Sequence, residues 1–233
     1  MSVWAIVPAA GSGQRFGAGN PKQYQMAAGR PLLAHVLALL LTAPGIEGLV
    51  LATAASDTRW RECVPENHGR TLFTATGGAT RAASVRAALT AIEGVAAADD
   101  WALVHDAARP CLTQEDLSRL FAGLSDDPVG GLLAAPVVDT LKRGDESGHV
   151  TATENRDGLW RALTPQMFRY GLLCSALNGA LNAGVEVTDE ASAMEWAGHA
   201  PRLVSGRVDN IKVTRAEDLM LAEAIINARV IKS

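Results

Sequence analysis

Cysteine is scarce in this chain: Cys63, Cys111 and Cys174 are the only three in 233 residues, far apart and odd in number. None lies in a CxxC pair or at zinc-ligand spacing, which excludes a disulfide scaffold and fits a reducing compartment. Long apolar runs are missing too. The nearest, PLLAHVLALLLTAPGIEGLVLATAA, is broken by Pro44, Gly45, Glu47 and Gly48 into a helix, a turn and a strand, whereas a membrane span needs roughly eighteen uninterrupted residues. The opening MSVWAIVPAAGSG has no basic region and too short an apolar stretch for a signal peptide. A cytoplasmic protein with no membrane partner is therefore expected. Positive charge is not in excess either, with a formal net charge of −4. Basic residues occur singly and no aromatic ladder offers stacking surfaces, so a nucleic-acid partner is not expected. A local basic pocket for an anionic small molecule is still compatible with this balance. No internal repeat is present.

What is there is ordinary globular material, 48% hydrophobic and 20% charged, enough for one sizeable core. Residues 1–233 read as a single domain. The run VWAIVPAA, 3–10, is short and continuous, like a strand covered on both faces. PLLAHVLALLLTA reads as a helix with Pro31 at its first position, GLVLATA as a strand, and 56–62 as a short helix capped by Ser56. TLFTATGG is a third strand. TRAASVRAALTAI is a helix with Thr80 as its cap, and WALV a strand leading to His105 and Asp106. TQEDLSRLFAGL is a helix with Thr113 and Asp116 in a capping-box arrangement. GGLLAAPV is a further strand. TPQMFRYGLLCSALNGALNAG reads as a helix, TDEASAMEWAG as another capped by Thr188, PRLVSG and NIKV as short strands, and TRAEDLMLAEAIINARVI as a closing helix. The alternation predicts an α/β fold with a mainly parallel sheet. Residues 139–160 break the rhythm: polar, glycine-rich and weakly alternating, they read as a projecting hairpin arm or a long loop.

Four segments carry chemistry. PAAGSGQRFGAGNPKQY, 8–24, is not a P-loop, because GxxxxGK[ST] is absent. Nor is it a dinucleotide fingerprint, because Gly11, Gly13 and Gly17 are spaced one residue too long. Its glycines still permit a nest of backbone amides for an anion, with Arg15 and Lys22 beside it; a plain structural turn is the alternative. In HDAARP, Asp106 follows a buried strand, well placed either to hold Mg2+ through oxygen or to cap the turn; Arg109 suits a phosphate or a surface ion pair. His105 reads as a packed, hydrogen-bonded histidine. In GGATRAASV, 77–85, the glycines leave room for a flat base or a ribose, and Ser84 is a hydrogen-bonding group or a plain helix-face residue. In GRVDNIKVT, Asp209 and Lys212 flank a short strand; a solvated turn is the other reading.

Taken together and in order, PAAGSGQRFG, NPKQY, HDAARPC, APVVDT, GLWRALTPQ, TDEASAMEW and GRVDNIKVT resemble the signatures of the 2-C-methyl-D-erythritol 4-phosphate cytidylyltransferases of non-mevalonate isoprenoid synthesis, over nearly the whole chain. The resemblance implies a Rossmann-like nucleotidyltransferase fold, a mainly parallel mixed sheet with flanking helices and a projecting β-arm. It implies transfer of a cytidylyl group from CTP to methylerythritol phosphate with release of pyrophosphate, and a homodimer interlocked through the 139–160 arm. By the same match, Arg15 and Lys22 grip the triphosphate. Asp106 helps place Mg2+ or another divalent metal, with Asp209 as a further candidate ligand. Ala9, Ala10, Gly11, Gly78, Ser84, Asp106 and Ala107 line the nucleotide pocket. Arg109, Thr140, Arg156, Thr164 and Lys212 surround the methylerythritol phosphate, Arg156 coming from the other subunit. Arg15, Lys22, Lys212 and Arg156 are the expected catalytic set.

Two departures stand out. Family members commonly carry acidic residues after the glycine pair, where this chain has Ala79 and Thr80, so a side-chain carboxylate contact to the nucleotide or a neighbouring loop is absent. Phe16 stands where many relatives carry methionine. The residues suit direct in-line attack by an anionic phosphate oxygen on the α-phosphorus of CTP, a task of positioning and charge stabilisation without a general base. No nucleophile–His–Asp set points to a covalent intermediate. A cytidylyltransferase for ribitol 5-phosphate or another polyol phosphate, and a non-catalytic nucleotide-binding regulator, are the alternatives.

Overall fold

The computed structural model describes residues 1–11 and 21–230. Its strands are β1 (Val3–Pro8), β2 (Met26–Ala27), β3 (Arg30–Pro31), β4 (Ile46–Thr53), β5 (Thr71–Thr76), β6 (Trp101–Val104), β7 (Gly130–Pro136), β8 (Leu141–Gly144), β9 (Val150–Glu154), β10 (Trp160–Arg169) and β11 (Arg202–Ser205). Its helices are α1 (Leu32–Thr42), α2 (Arg81–Thr90), α3 (Gln114–Leu124), α4 (Tyr170–Asn182), α5 (Glu190–Trp196) and α6 (Ala216–Val230). Seven strands form one sheet in the order β11-β7-β10-β6-β1-β4-β5. Neighbours run parallel except β10, which is antiparallel to both β6 and β7. This is a mainly parallel mixed sheet, as the alternation of apolar runs and helices implies.

Both faces of the sheet's centre are covered, which is why β1, β6 and β7 read as continuous apolar runs, while the edge strands β5 and β11 are partly exposed. In β1 the period of two sends Ala5 and Val7 towards α1 and α3, where they meet Leu37, Leu40, Leu117 and Leu120. Trp4 and Ile6 face the other side, against Val85, Leu89, Leu173 and Met194 of α2, α4 and α5. A smaller cluster joins α6 to the body through Leu32, Cys111, Val213 and Ala222. Thr80 caps α2 by accepting from the Ala83 amide, and Thr113 with Asp116 forms the capping box of α3.

Five local expectations are corrected, the first being Pro31, which pairs with Met26 in β3 and stands just before α1 rather than at its first position. Residues 164–169, expected to open a helix, belong to β10, and α4 begins only at Tyr170. Ser56 caps nothing: a 3-10 turn covers Arg59–Cys63, with Thr58 at its start and no side-chain cap. The cap of α5 is Asp189, paired reciprocally with Ser192, rather than Thr188. NIKV is not a strand; among its ties to the body is the bond from the Val213 amide to the Ala108 carbonyl, 2.8 Å. Residues 141–154 form an exposed two-stranded hairpin, β8 with β9, pinned by Arg143–Glu154 at 2.6 Å. No helix among the described residues is long and apolar enough to cross a membrane.

Candidate active site

The strand order reverses between β1 and β6, so their carboxyl ends diverge and leave a crevice, the usual ligand position in an open α/β sheet. A cavity of about 620 Å³ occupies it. Ala9, Ala10 and Gly11, beyond β1, form one wall. Gly78 and Ser84 form a second, and Asp106 and Ala107, beyond β6, a third. Lys22 and Lys212 close the rim from loops. The structure thus brings together nine of the residues singled out from the sequence. Arg15 lies outside the described residues.

Each wall has a local cause. The Ala9 amide bonds the Ala52 carbonyl at 2.7 Å and holds the chain beyond β1 flat against β4. The buried Gln23 donates to the Ala9 carbonyl at 2.8 Å and anchors the turn that carries Lys22. Ser84 works inward: its hydroxyl accepts from the Gly78 amide at 3.1 Å and bonds the Thr80 carbonyl at 3.0 Å, holding the glycine turn open. A side chain at Gly77 would overlap the Ala10 methyl and stand 2.9 Å from the Ser84 hydroxyl, so the close approach there requires glycine. Thr80, one of the two departures from the acidic pattern, is the cap of α2 and lines the cavity with Ala79.

Asp106 is the only carboxylate on the cavity wall among the described residues. It is 5% exposed and surrounded by cations: Arg81 Nε at 2.8 Å, Lys212 Nζ at 2.8 Å and Arg109 Nε at 3.7 Å. Burial alone would raise its pKa; Arg81 and Lys212 outweigh that and hold the carboxyl well below the usual range. Below it lies a buried network. The His105 Nε2–H donates to the Arg109 carbonyl at 3.1 Å, so Nδ1 accepts from the Thr164 hydroxyl at 3.0 Å. That hydroxyl in turn accepts from the Asp106 amide at 3.1 Å. Burial pushes the His105 pKa down to about 4, keeping the ring neutral.

Other expected residues are placed elsewhere. Arg109 and Thr164 are buried beneath the cavity: Arg109 donates to the Asn210 carbonyl at 2.8 Å, and Asn210 donates to the Thr164 carbonyl at 2.8 Å. Thr140 and Arg156 are exposed at the base of the arm, where Arg156 donates to the Val138 carbonyl. Asp209, a candidate metal ligand, is not on the cavity wall; Arg207 and Arg229 each reach it at 2.9 Å and, led by the Arg207 bond, lower its pKa to about 2. It ties the Lys212 loop to α6. The sequence reading passed over Arg81, Gln166, Glu190 and Asn210. Arg81 had a signal: a cation in the first turn of α2 opposes the helix dipole.

A family model described as 2-C-methyl-D-erythritol 4-phosphate cytidylyltransferase matches residues 3–228. The chain belongs to this family. Proteins of that name from Dechloromonas aromatica (strain RCB) and Ectopseudomonas mendocina (strain ymp) are 55% and 53% identical over 227 and 217 residues, covering 97% and 93% of this chain and 98% and 92% of theirs. Among solved structures, a 4-diphosphocytidyl-2C-methyl-D-erythritol synthase superposes with a TM-score of 0.83 at 36% identity, over 97% of this chain and 98% of the other. The cytidylyltransferase of Francisella tularensis superposes with a TM-score of 0.82 at 33% identity, over 97% and 100%. The match thus takes in every wall of the cavity.

Proposed function

We propose that this chain transfers a cytidylyl group from CTP to 2-C-methyl-D-erythritol 4-phosphate, giving 4-diphosphocytidyl-2-C-methyl-D-erythritol and pyrophosphate. The observation that carries the reading is the meeting of Lys22, Lys212 and Asp106 at the sheet's crevice in a chain of this family. The nucleotide lies against Ala9–Gly11, Gly78, Ser84 and Ala107, where small residues admit base and ribose. Lys22, with Arg15 beside it in sequence, offsets charge on the α-phosphorus and the departing pyrophosphate. Lys212 holds the incoming phosphate, whose oxygen attacks the α-phosphorus in line. The attacking group is already an anion, so the protein moves no proton; it supplies position and charge.

No group of three or more His, Cys, Asp or Glu that could hold a metal exists among the described residues. A lone carboxylate nevertheless fits Mg2+, which takes one or two carboxylates and completes its shell with substrate phosphates and water. Asp106 is the residue that would hold it, and the ion's contribution when bound is to neutralise phosphate charge. Arg156 and Thr140 reach a methylerythritol phosphate by exchange of arms in a homodimer: Val138, Val150, Leu159 and Trp160 leave apolar surface exposed along the arm and its base, which a second copy covers.

The test is pyrophosphate release with Mg2+ and CTP, comparing methylerythritol 4-phosphate with ribitol 5-phosphate and then replacing CTP by UTP and ATP. Release confined to CTP with methylerythritol phosphate supports the reading. Preference for ribitol phosphate moves the function to the sister activity, and CTP binding without release with any acceptor makes the chain a regulator.

A further inference from the structure

The segments ALTPQ and TDEAS place no side chain on the cavity wall, yet both converge on its carboxylate. Gln166 of β10 accepts from the Ala191 amide at 2.8 Å and donates to Asp189 at 2.9 Å. Together with the Asp189–Ser192 cap this fixes the first turn of α5 against the sheet. Glu190 sits in that turn, 1% exposed. Its two oxygens take Arg81 Nη1 at 2.7 Å and Nη2 at 2.9 Å, and Arg81 Nε takes Asp106 Oδ1 at 2.8 Å.

We propose that Glu190 is a positioning residue: its two-pronged grip on Arg81 keeps Asp106 in place while Lys212 exchanges that carboxylate for a substrate phosphate. The inference rests on the reaction proposed above. All three nitrogens of Arg81 are committed, and a bidentate guanidinium–carboxylate pair has one geometry. Lys212 differs. It is a point charge on a mobile stem, its side chain is 38% exposed, and its one ion-pair partner among the described residues is Asp106 Oδ2 at 2.8 Å. Arg81 and Lys212 therefore hold opposite oxygens of one carboxylate, one locked from behind and one free to leave, while the buried Arg109 Nε stays at 3.7 Å from Oδ2. When Lys212 turns to a phosphate, Oδ2 opens towards the cavity while Oδ1 stays fixed. Without Glu190, Arg81 carries an unbalanced charge beside the cavity it lines, so it is drawn to the nucleotide's phosphates and Asp106 loses its anchor.

The test is a double-mutant cycle on kcat/KM with CTP, methylerythritol 4-phosphate and Mg2+. Glu190→Gln, which keeps the shape and loses the charge, is expected to lower kcat/KM by about 10–100-fold, as loss of a supporting partner behind a functional carboxylate does. In an Asp106→Asn background, followed by single-turnover measurement, the same change is expected to cost less than about twofold, because the group it positions is gone. A residue that merely supports the fold lowers activity by the same factor in both backgrounds, and that result overturns the proposal. Arg81→Met with Glu190→Leu removes both charges without leaving one buried alone. This variant is expected to fold and to lose as much activity as Glu190→Gln; wild-type turnover by the folded variant overturns the proposal. Failure of the wild-type chain to turn over refutes the assigned reaction and the positioning role with it, whereas normal wild-type turnover with an unimpaired Glu190→Gln refutes the positioning role alone.

Discussion

Replacing Thr164 with valine isolates the support beneath the site. The side chain is 4% exposed, and its hydroxyl does two things: it donates to His105 Nδ1 at 3.0 Å and accepts from the Asp106 amide at 3.1 Å. Valine fills nearly the same space, so packing is preserved while both partners lose their bond in a place water does not reach. Each buried group left unmatched costs about 1–3 kcal/mol, which gives a loss of about 2–5 kcal/mol after the small gain from the added methyl. In a chain of this size each kcal/mol moves Tm by about 2–4 °C, so Tm falls by roughly 4–20 °C. Guanidinium unfolding followed by circular dichroism measures the loss, read as a shift in midpoint at constant slope. Thr164→Ser keeps the hydroxyl and should lose only about 1 kcal/mol for the missing methyl. A Thr164→Val protein within about 0.5 kcal/mol of wild type would refute the network as drawn and return Thr164 to a purely substrate-facing role.

Stability also follows pH in a set direction. The folded His105 value of about 4 lies below the ordinary 6.5, so the unfolded chain binds the proton first; the associated stability is full above pH 6.5 and drains as pH falls towards 4. That gap amounts to about 3 kcal/mol, His35, also lowered by burial, acts in the same direction, and a flat unfolding profile between pH 7 and 4.5 would contradict it. Gly77→Ala should be destabilised by about 1–3 kcal/mol through overpacking against Ala10 and Ser84, and its KM for CTP should rise more than its KM for the acceptor; equal change in both would place the clash away from the nucleotide. Lys22→Ala should lose about 3–4 kcal/mol of transition-state stabilisation, seen in kcat, and near-normal turnover would remove Lys22 from the chemistry. Arg156→Ala should raise KM for methylerythritol phosphate and leave that for CTP unchanged; normal kinetics would detach the arm from the acceptor site.

The parallel core was legible because its central strands β1 and β6 are unbroken apolar runs and two of the helices announce themselves with caps, Thr80 and Thr113, whose partners lie three residues on. β10 was not legible for a related reason. Gln166, Met167 and Phe168 are buried on both faces, so no alternation marks them as strand, and the Ala- and Leu-rich α4 that follows drew the boundary backwards. Thr188 and Asp189 are equally good caps by type; only Asp189 has a side-chain partner three residues on, Ser192. At the site, Asp106 could be read from its place after β6. Its control by Arg81 and Glu190 could not, because those two lie 109 residues apart and meet only when α2 and α5 pack on one face of the sheet. The arrangement of Asp209 was hidden likewise: the residue sits three before Lys212, but it lies off the cavity wall, paired with Arg207 and with Arg229 arriving from α6.

The most direct measurement uses methylerythritol 4-phosphate carrying oxygen-18 in its phosphate, incubated with wild-type protein, CTP and Mg2+, with both products read by mass. The account predicts one labelled 4-diphosphocytidyl-2-C-methyl-D-erythritol for each pyrophosphate, and pyrophosphate free of label. Label in the pyrophosphate, or pyrophosphate formed without the labelled diphosphate, would contradict in-line attack by the acceptor's own phosphate at this cavity.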